Sequence, residues 1–64
     1  MVSKNNLKEL RKNRGMPLAE LSRRTGLSRV SLQKIENNEV NPKLSSALII
    51  ARELEKTVEE IFLL

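Results

Sequence analysis

The sequence predicts an all-α fold of five short helices, on three observations. Its apolar residues are almost all Leu, Ile, Val, Ala and Met, with one Phe and no Tyr or Trp, a composition poor in the aromatics that favour strands. These aliphatics recur at spacings of three and four, the repeat of one helix face. The two Gly and two Pro fall between the periodic stretches, where helices start and stop. A chain of 64 residues buries only about 60% of the surface its unfolded form exposes. One domain spanning residues 1–64, with one small aliphatic core, is therefore the expectation.

A first helix is predicted over residues 6–14. Asn6 and Glu9 have capping-box spacing, Leu7 and Leu10 share a face, and Gly15 supplies a left-handed stop. Pro17 is a natural first-turn residue, Leu18 and Leu21 point inward and Gly26 ends the segment, which predicts a second helix over 17–25. Ser28 is a strong N-cap, and Leu27 before it is spaced to staple onto Leu32. With Ile35 also inward, and Asn37-Asn38 tolerant of left-handed backbone, the third helix runs over 29–37. Residues 38–43 read as a loop in which Pro42 keeps Asn41 out of helical geometry. Leu44, Ala47, Leu48, Ala51 and Leu54 recur at helical spacing and predict a fourth helix over 44–55. Thr57 with Glu60 repeats the capping-box pattern and opens a last short helix through Val58, Ile61 and Phe62.

Absences in the composition narrow the chemistry. With no Cys and no His there is no disulfide framework, thiol nucleophile or zinc finger, and the commonest general base and metal ligand are missing. An enzyme is not expected, nor a metal or cofactor. The polar residues 1–6 lack the apolar core of a signal peptide, and the apolar stretch 47–51 is bounded by Ser46 and Arg52, far short of the roughly 20 residues that span a bilayer. A soluble cytoplasmic protein without a membrane span is expected. Residues 1–43 hold ten Lys or Arg against four Glu, a balance of +6, whereas 44–64 hold two against four, a balance of −2. The basic part should face an anion, either nucleic acid or an anionic membrane surface; its Gly and Pro breaks leave pieces too short for a good amphipathic membrane helix.

Together the second and third helices meet the specification of a helix-turn-helix over residues 17–37: a short helix, a Gly-bearing turn and a second short helix crossing the first. Ser22 is small where the two cross, and Leu21, Leu27, Leu32 and Ile35 are apolar where they face each other.

On this pattern the sequence resembles the Cro/C1-type (XRE-like) helix-turn-helix transcriptional regulators. The resemblance is carried by Leu7-Lys8-Glu9-Leu10-Arg11, Gly15-Met16, Ala19-Glu20-Leu21, Gly26-Leu27-Ser28-Arg29, Lys34-Ile35-Glu36-Asn37, Asn41-Pro42, Ala47-Leu48 and Glu59-Glu60-Ile61-Phe62. It covers nearly the whole chain and implies a compact five-helix, lambda-repressor-like DNA-binding domain with its third helix in the major groove. On that assumption Arg29, Val30, Gln33 and Lys34 face away from the core and would read bases. Arg29 can donate twice to guanine O6 and N7, Lys34 can do so as a point charge, Gln33 suits adenine, and Val30 can pack on a thymine methyl. A solvated polar face is the plain alternative for the same four residues.

The resemblance further assigns phosphate contacts to Ser31, Asn37, Lys43 and the backbone N–H groups near Leu18. Ser31 is equally a helix-start hydroxyl and Asn37 a C-cap. Arg11 and Glu36 correspond to a family pair that braces the reading helix. The chain also departs from the family. Pro17-Leu18 stand where Thr-Gln is usual, removing a phosphate-clamping glutamine. Asn38 replaces a Gly, Glu55-Lys56 replace Gly-Val, and Ile49 stands where a charged residue is usual.

The leading expectation is a homodimeric repressor that reads a short palindrome in double-stranded DNA, its two-fold interface formed by Val58, Ile61, Phe62, Leu63 and Leu64. The alternative for those residues is that they cover the core of a monomer. The competing function is a protein-interaction module, an antitoxin or adaptor, whose protein partner is primary and whose DNA contact is secondary or lost.

Overall fold

A computed structural model describes residues 5–62. Five helices follow one another: α1 (Leu7–Asn13), α2 (Leu18–Thr25), α3 (Arg29–Glu36), α4 (Leu44–Leu54) and α5 (Val58–Ile61). All five predicted helices are present, with ends shifted by a residue or two.

The shifts have local causes. Asn6 makes no side-chain cap; its amide instead donates to the Glu60 carbonyl. The acceptor at the start of α1 is one residue earlier, where Asn5 Oδ1 takes the Leu7 N–H at 2.9 Å. The expected Asn6–Glu9 box is therefore replaced by an Asn5 cap. Pro17 is the N-cap of α2 rather than its first residue, because its ψ of 153° is extended. Asn37 and Glu55 lie just beyond α3 and α4, and the left-handed positions after those helices fall on Asn38 (φ 60°) and Glu55 (φ 55°). Both stand where glycine would relieve the steric cost of that conformation. Gly15 and Gly26 take positive φ as the stops of the first two helices. At α5 the Thr57–Glu60 box closes in both directions, with each backbone N–H donating to the other's side chain.

The core draws on every helix, most heavily on α4: Leu7, Met16, Leu21, Leu32, Ile35, Ala47, Ile50, Ala51, Leu54, Ile61 and Phe62, with Leu10, Leu18, Leu27 and Val58 packed at its edge. α2 lies against both α3 and α4, α4 against α5, and α1 against α3. The fourth helix is rotated from the face its spacing suggested. Ala47, Ile50, Ala51 and Leu54 are buried, while Leu44 and Leu48 stand 73% and 51% exposed. An antiparallel bridge joins Asn5 to Phe62, with the Asn6 N–H donating to the Ile61 carbonyl at 2.7 Å.

Candidate nucleic-acid interface

α3 owes its orientation to both ends. At its start the Ser28 hydroxyl oxygen accepts the Ser31 N–H at 3.1 Å and its O–H donates to the Ser31 hydroxyl at 2.9 Å. The turn before it is closed by Ser22, whose hydroxyl donates to the Leu27 carbonyl at 2.6 Å, and by Thr25, whose hydroxyl donates to Leu21 and accepts the Leu27 N–H. Ser22 is thus small enough for the crossing and also bonds across it. Leu32 and Ile35 anchor the inward face in the core.

At the far end Arg11 grips the helix. Its Nε donates to Glu36 Oε2 at 2.7 Å, its Nη2 to Glu36 Oε1 at 3.2 Å and its Nη1 to the Met16 carbonyl at 2.8 Å. The two side chains are only 10% and 4% exposed, so this is a partly desolvated, two-toothed ion pair. It also neutralises the carboxylate that ends α3, which would otherwise repel phosphate.

With those anchors the outward face of α3 carries Arg29, Val30, Gln33 and Lys34, all exposed; Val30 is 64% exposed. Among the described residues Arg29 and Lys34 enter no ion pair, whereas Arg11, Arg14 and Arg24 are held by Glu36, Glu55, and Glu20 with Glu53 respectively. The basic charge on α3 is therefore uncommitted, whereas that of Arg11, Arg14 and Arg24 is spent on structure.

A groove of about 370 Å³ runs beside this face, lined by Ser31 and Lys34 from α3, by Asn41, Pro42 and Lys43 from the following loop, and by Ser46 from α4, over an apolar floor that includes Ile35. Ser31, Lys34 and Lys43 are thereby brought together, with Asn41 and Ser46 as polar neighbours that sequence reasoning missed. Only the fold could reveal those two, since no local pattern marks them. Asn37 is the C-cap of α3 and its side-chain amide donates to Glu39 at 3.4 Å. Leu18 opens α2 half-buried, and that helix has no side-chain cap.

The expected dimer residues need correction. Ile61 and Phe62 are buried in the chain's own core, beside the bridge from Phe62 to Asn5. They present nothing to a second copy. Val58 is half-buried at the core edge, and Leu63 and Leu64 lie outside the described residues.

Two short helices joined by a glycine-bearing turn, the second offering unpaired basic and amide side chains, define a helix-turn-helix domain. The helix-turn-helix family model HTH_3 matches residues 7–61, and the chain belongs to this family of non-enzymatic, DNA-binding domains. A solved structure of an HTH_3 family transcriptional regulator from Vibrio cholerae is similar, with a TM-score of 0.77 and 36% identity over 86% of this chain. The match covers 31% of the Vibrio chain, so this chain spans about a third of that regulator's length. No curated protein matches. Among the described residues no helix is long and apolar enough to cross a membrane.

Proposed function

We propose that this chain reads double-stranded DNA as a cytoplasmic transcriptional regulator, a homodimeric repressor whose two α3 helices enter successive major grooves of a short palindromic operator. The observation that carries this reading is the division of α3 into a buried side, Leu32 and Ile35, and an exposed side, Arg29, Val30, Gln33 and Lys34. The exposed side holds the donors and the methyl-bearing side chain that base edges require. Ser31 and Lys43, beside the same groove, would set register on phosphates, with Leu18 and Asn37 as further phosphate contacts. The Thr-Gln clamp is replaced by Pro17-Leu18, so backbone N–H groups at the start of α2 take over its role and bind more weakly.

Selection of bound duplexes from a random pool tests the proposal, and a recovered palindrome is the expected result. On that site, Arg29→Ala and Lys34→Ala should each reduce discrimination by roughly 1–3 kcal/mol. Lys43→Ala should weaken cognate and random duplexes alike and lower the salt slope by about one. If none of the three alters affinity, the assigned face is wrong.

The exposed Leu44 and Leu48 favour one competing reading, a module whose partner is a protein. A salt titration separates the two, because log affinity for DNA falls linearly with log salt. Absence of duplex binding even at low salt would leave the protein-partner reading standing.

A further inference from the structure

We propose that Asn5, on the segment before α1, is a positioning residue of the reading helix. The inference rests on the reading of α3 as the DNA-contacting element. Asn5 Nδ2 donates to the Ile35 carbonyl at 2.7 Å and to Asn38 Oδ1 at 3.0 Å, while its Oδ1 accepts the Leu7 N–H at 2.9 Å. One side-chain amide, thirty residues away in sequence, thus ties the start of α1 to the last turn of α3. The backbone of Asn5 is itself held by the bridge to Phe62, so the tie is made from an anchored point.

The Ile35 carbonyl also accepts the Asn38 N–H at 3.0 Å, and the Lys34 carbonyl accepts the Glu39 N–H at 2.9 Å. These bonds close the end of α3 around Asn38 in its left-handed conformation. Asn5 therefore holds the same carbonyl that terminates the helix and also the side chain of the left-handed residue that follows it. Arg11 grips the neighbouring residue, Glu36, from another turn of α1. The two ties differ in kind: Arg11 balances a charge, whereas Asn5 fixes backbone.

Leverage makes this tie matter for reading. An eight-residue helix is about 12 Å long, so a tilt of about 3° about its capped start moves the far end by roughly 0.6 Å. That already exceeds the tolerance of about 0.5 Å within which a recognition group must be held. Gln33 and Lys34 lie at the far end and would lose alignment first, while Arg29 beside the Ser28 cap would keep it.

Asn5→Asp separates positioning from simple stabilisation. The aspartate keeps an oxygen for the Leu7 N–H, at a helix start where negative charge is favourable, and loses both donations to α3. We expect a lowered melting temperature, because the aspartate oxygen faces the Ile35 carbonyl and Asn38 Oδ1 with no proton to donate, and faster exchange of the Asn37, Asn38 and Glu39 amide protons, read by NMR; the accompanying loss of base preference is what a merely stabilising role would not give. On a duplex recovered by random-pool selection, preference over random duplex should fall about tenfold at positions read by Gln33 and Lys34, with random-duplex affinity unchanged. Asn38→Gly, which keeps positive φ and removes the side chain that Asn5 holds, should cause a smaller loss of base preference at the same positions if Asn5→Asp proves poorly folded. Unchanged exchange at the end of α3 in both variants overturns the tie. Faster exchange with undiminished base preference overturns the positioning role while leaving DNA binding intact. A wild-type chain that binds no duplex overturns the DNA reading itself, and with it the role given to Asn5 in base reading.

Discussion

Arg11 and Glu36 show how one pair can hold a helix in place and still be a weak source of net stability. Desolvating two charges costs several kcal/mol, and the paired hydrogen bonds return about that much. Removing one partner is a different matter, because it strands the other at 10% or 4% exposure. Glu36→Gln should therefore cost about 3–5 kcal/mol, a large share of the total for a chain of this size, and urea denaturation would register it as a much lower midpoint. An unfolding free energy within about 0.5 kcal/mol of wild type would show that the pair is solvated in solution. Arg11→Met combined with Glu36→Leu removes both charges and should recover part of the loss, although the donation to the Met16 carbonyl is not replaced.

Among the elements, α5 is the shortest and relies most on its cap. The Glu60 carboxyl is held below its ordinary value of 4.5, first by the hydrogen bond from the Thr57 backbone N–H and then by the Thr57 side chain. A carboxylate whose folded pKa is lowered contributes its stabilisation above the unfolded value and loses it as pH falls through the folded one. Acidification below pH 4.5 should thus fray α5 ahead of the other helices, seen as early loss of the Thr57 and Glu60 amide signals in NMR. In Glu60→Gln this step should vanish; its persistence would assign the acid fraying to another group. Helix α3 is instead tied at its two ends by Ser28 and by Asn5, through neutral hydrogen bonds that acid does not remove.

At the scale of the whole molecule the issue is what a second copy could hold. A stable interface covers roughly 800 Å² per partner, close to a fifth of the 4325 Å² this chain exposes. With Ile61 and Phe62 buried, Leu44 and Leu48, with Val40 upstream, are the large exposed apolar side chains outside the reading face among the described residues. On the proposed homodimeric reading, so small a patch would pair only weakly in free solution, and a duplex with two half-sites would supply the missing effective concentration. Sedimentation should show monomers alone and two copies per selected palindrome. Leu44→Ser with Leu48→Ser should abolish cooperative filling of the two half-sites while leaving single half-site affinity and helical content intact. Unchanged cooperativity in that variant would place the pairing surface elsewhere.

Much of this fold could be read from the residues alone: five helices, their glycine and proline boundaries, the inward faces of the second and third helices, the Thr57–Glu60 box and the outward set on α3. Each of these depends on neighbours within about four positions, and local sterics and hydrogen bonding act over that span. Tertiary structure decided the rest. The run Ala47-Leu48-Ile49-Ile50-Ala51 points apolar groups in every direction around α4, so periodicity could not choose its buried face, and only packing against α2 and α5 turned Ile50 inward and Leu48 out. Ile61 and Phe62 looked free to pair until packing placed them in the core. Asn5 itself carries no local mark of its ties to Ile35 and Asn38, because contacts thirty residues apart exist only once the helices have packed.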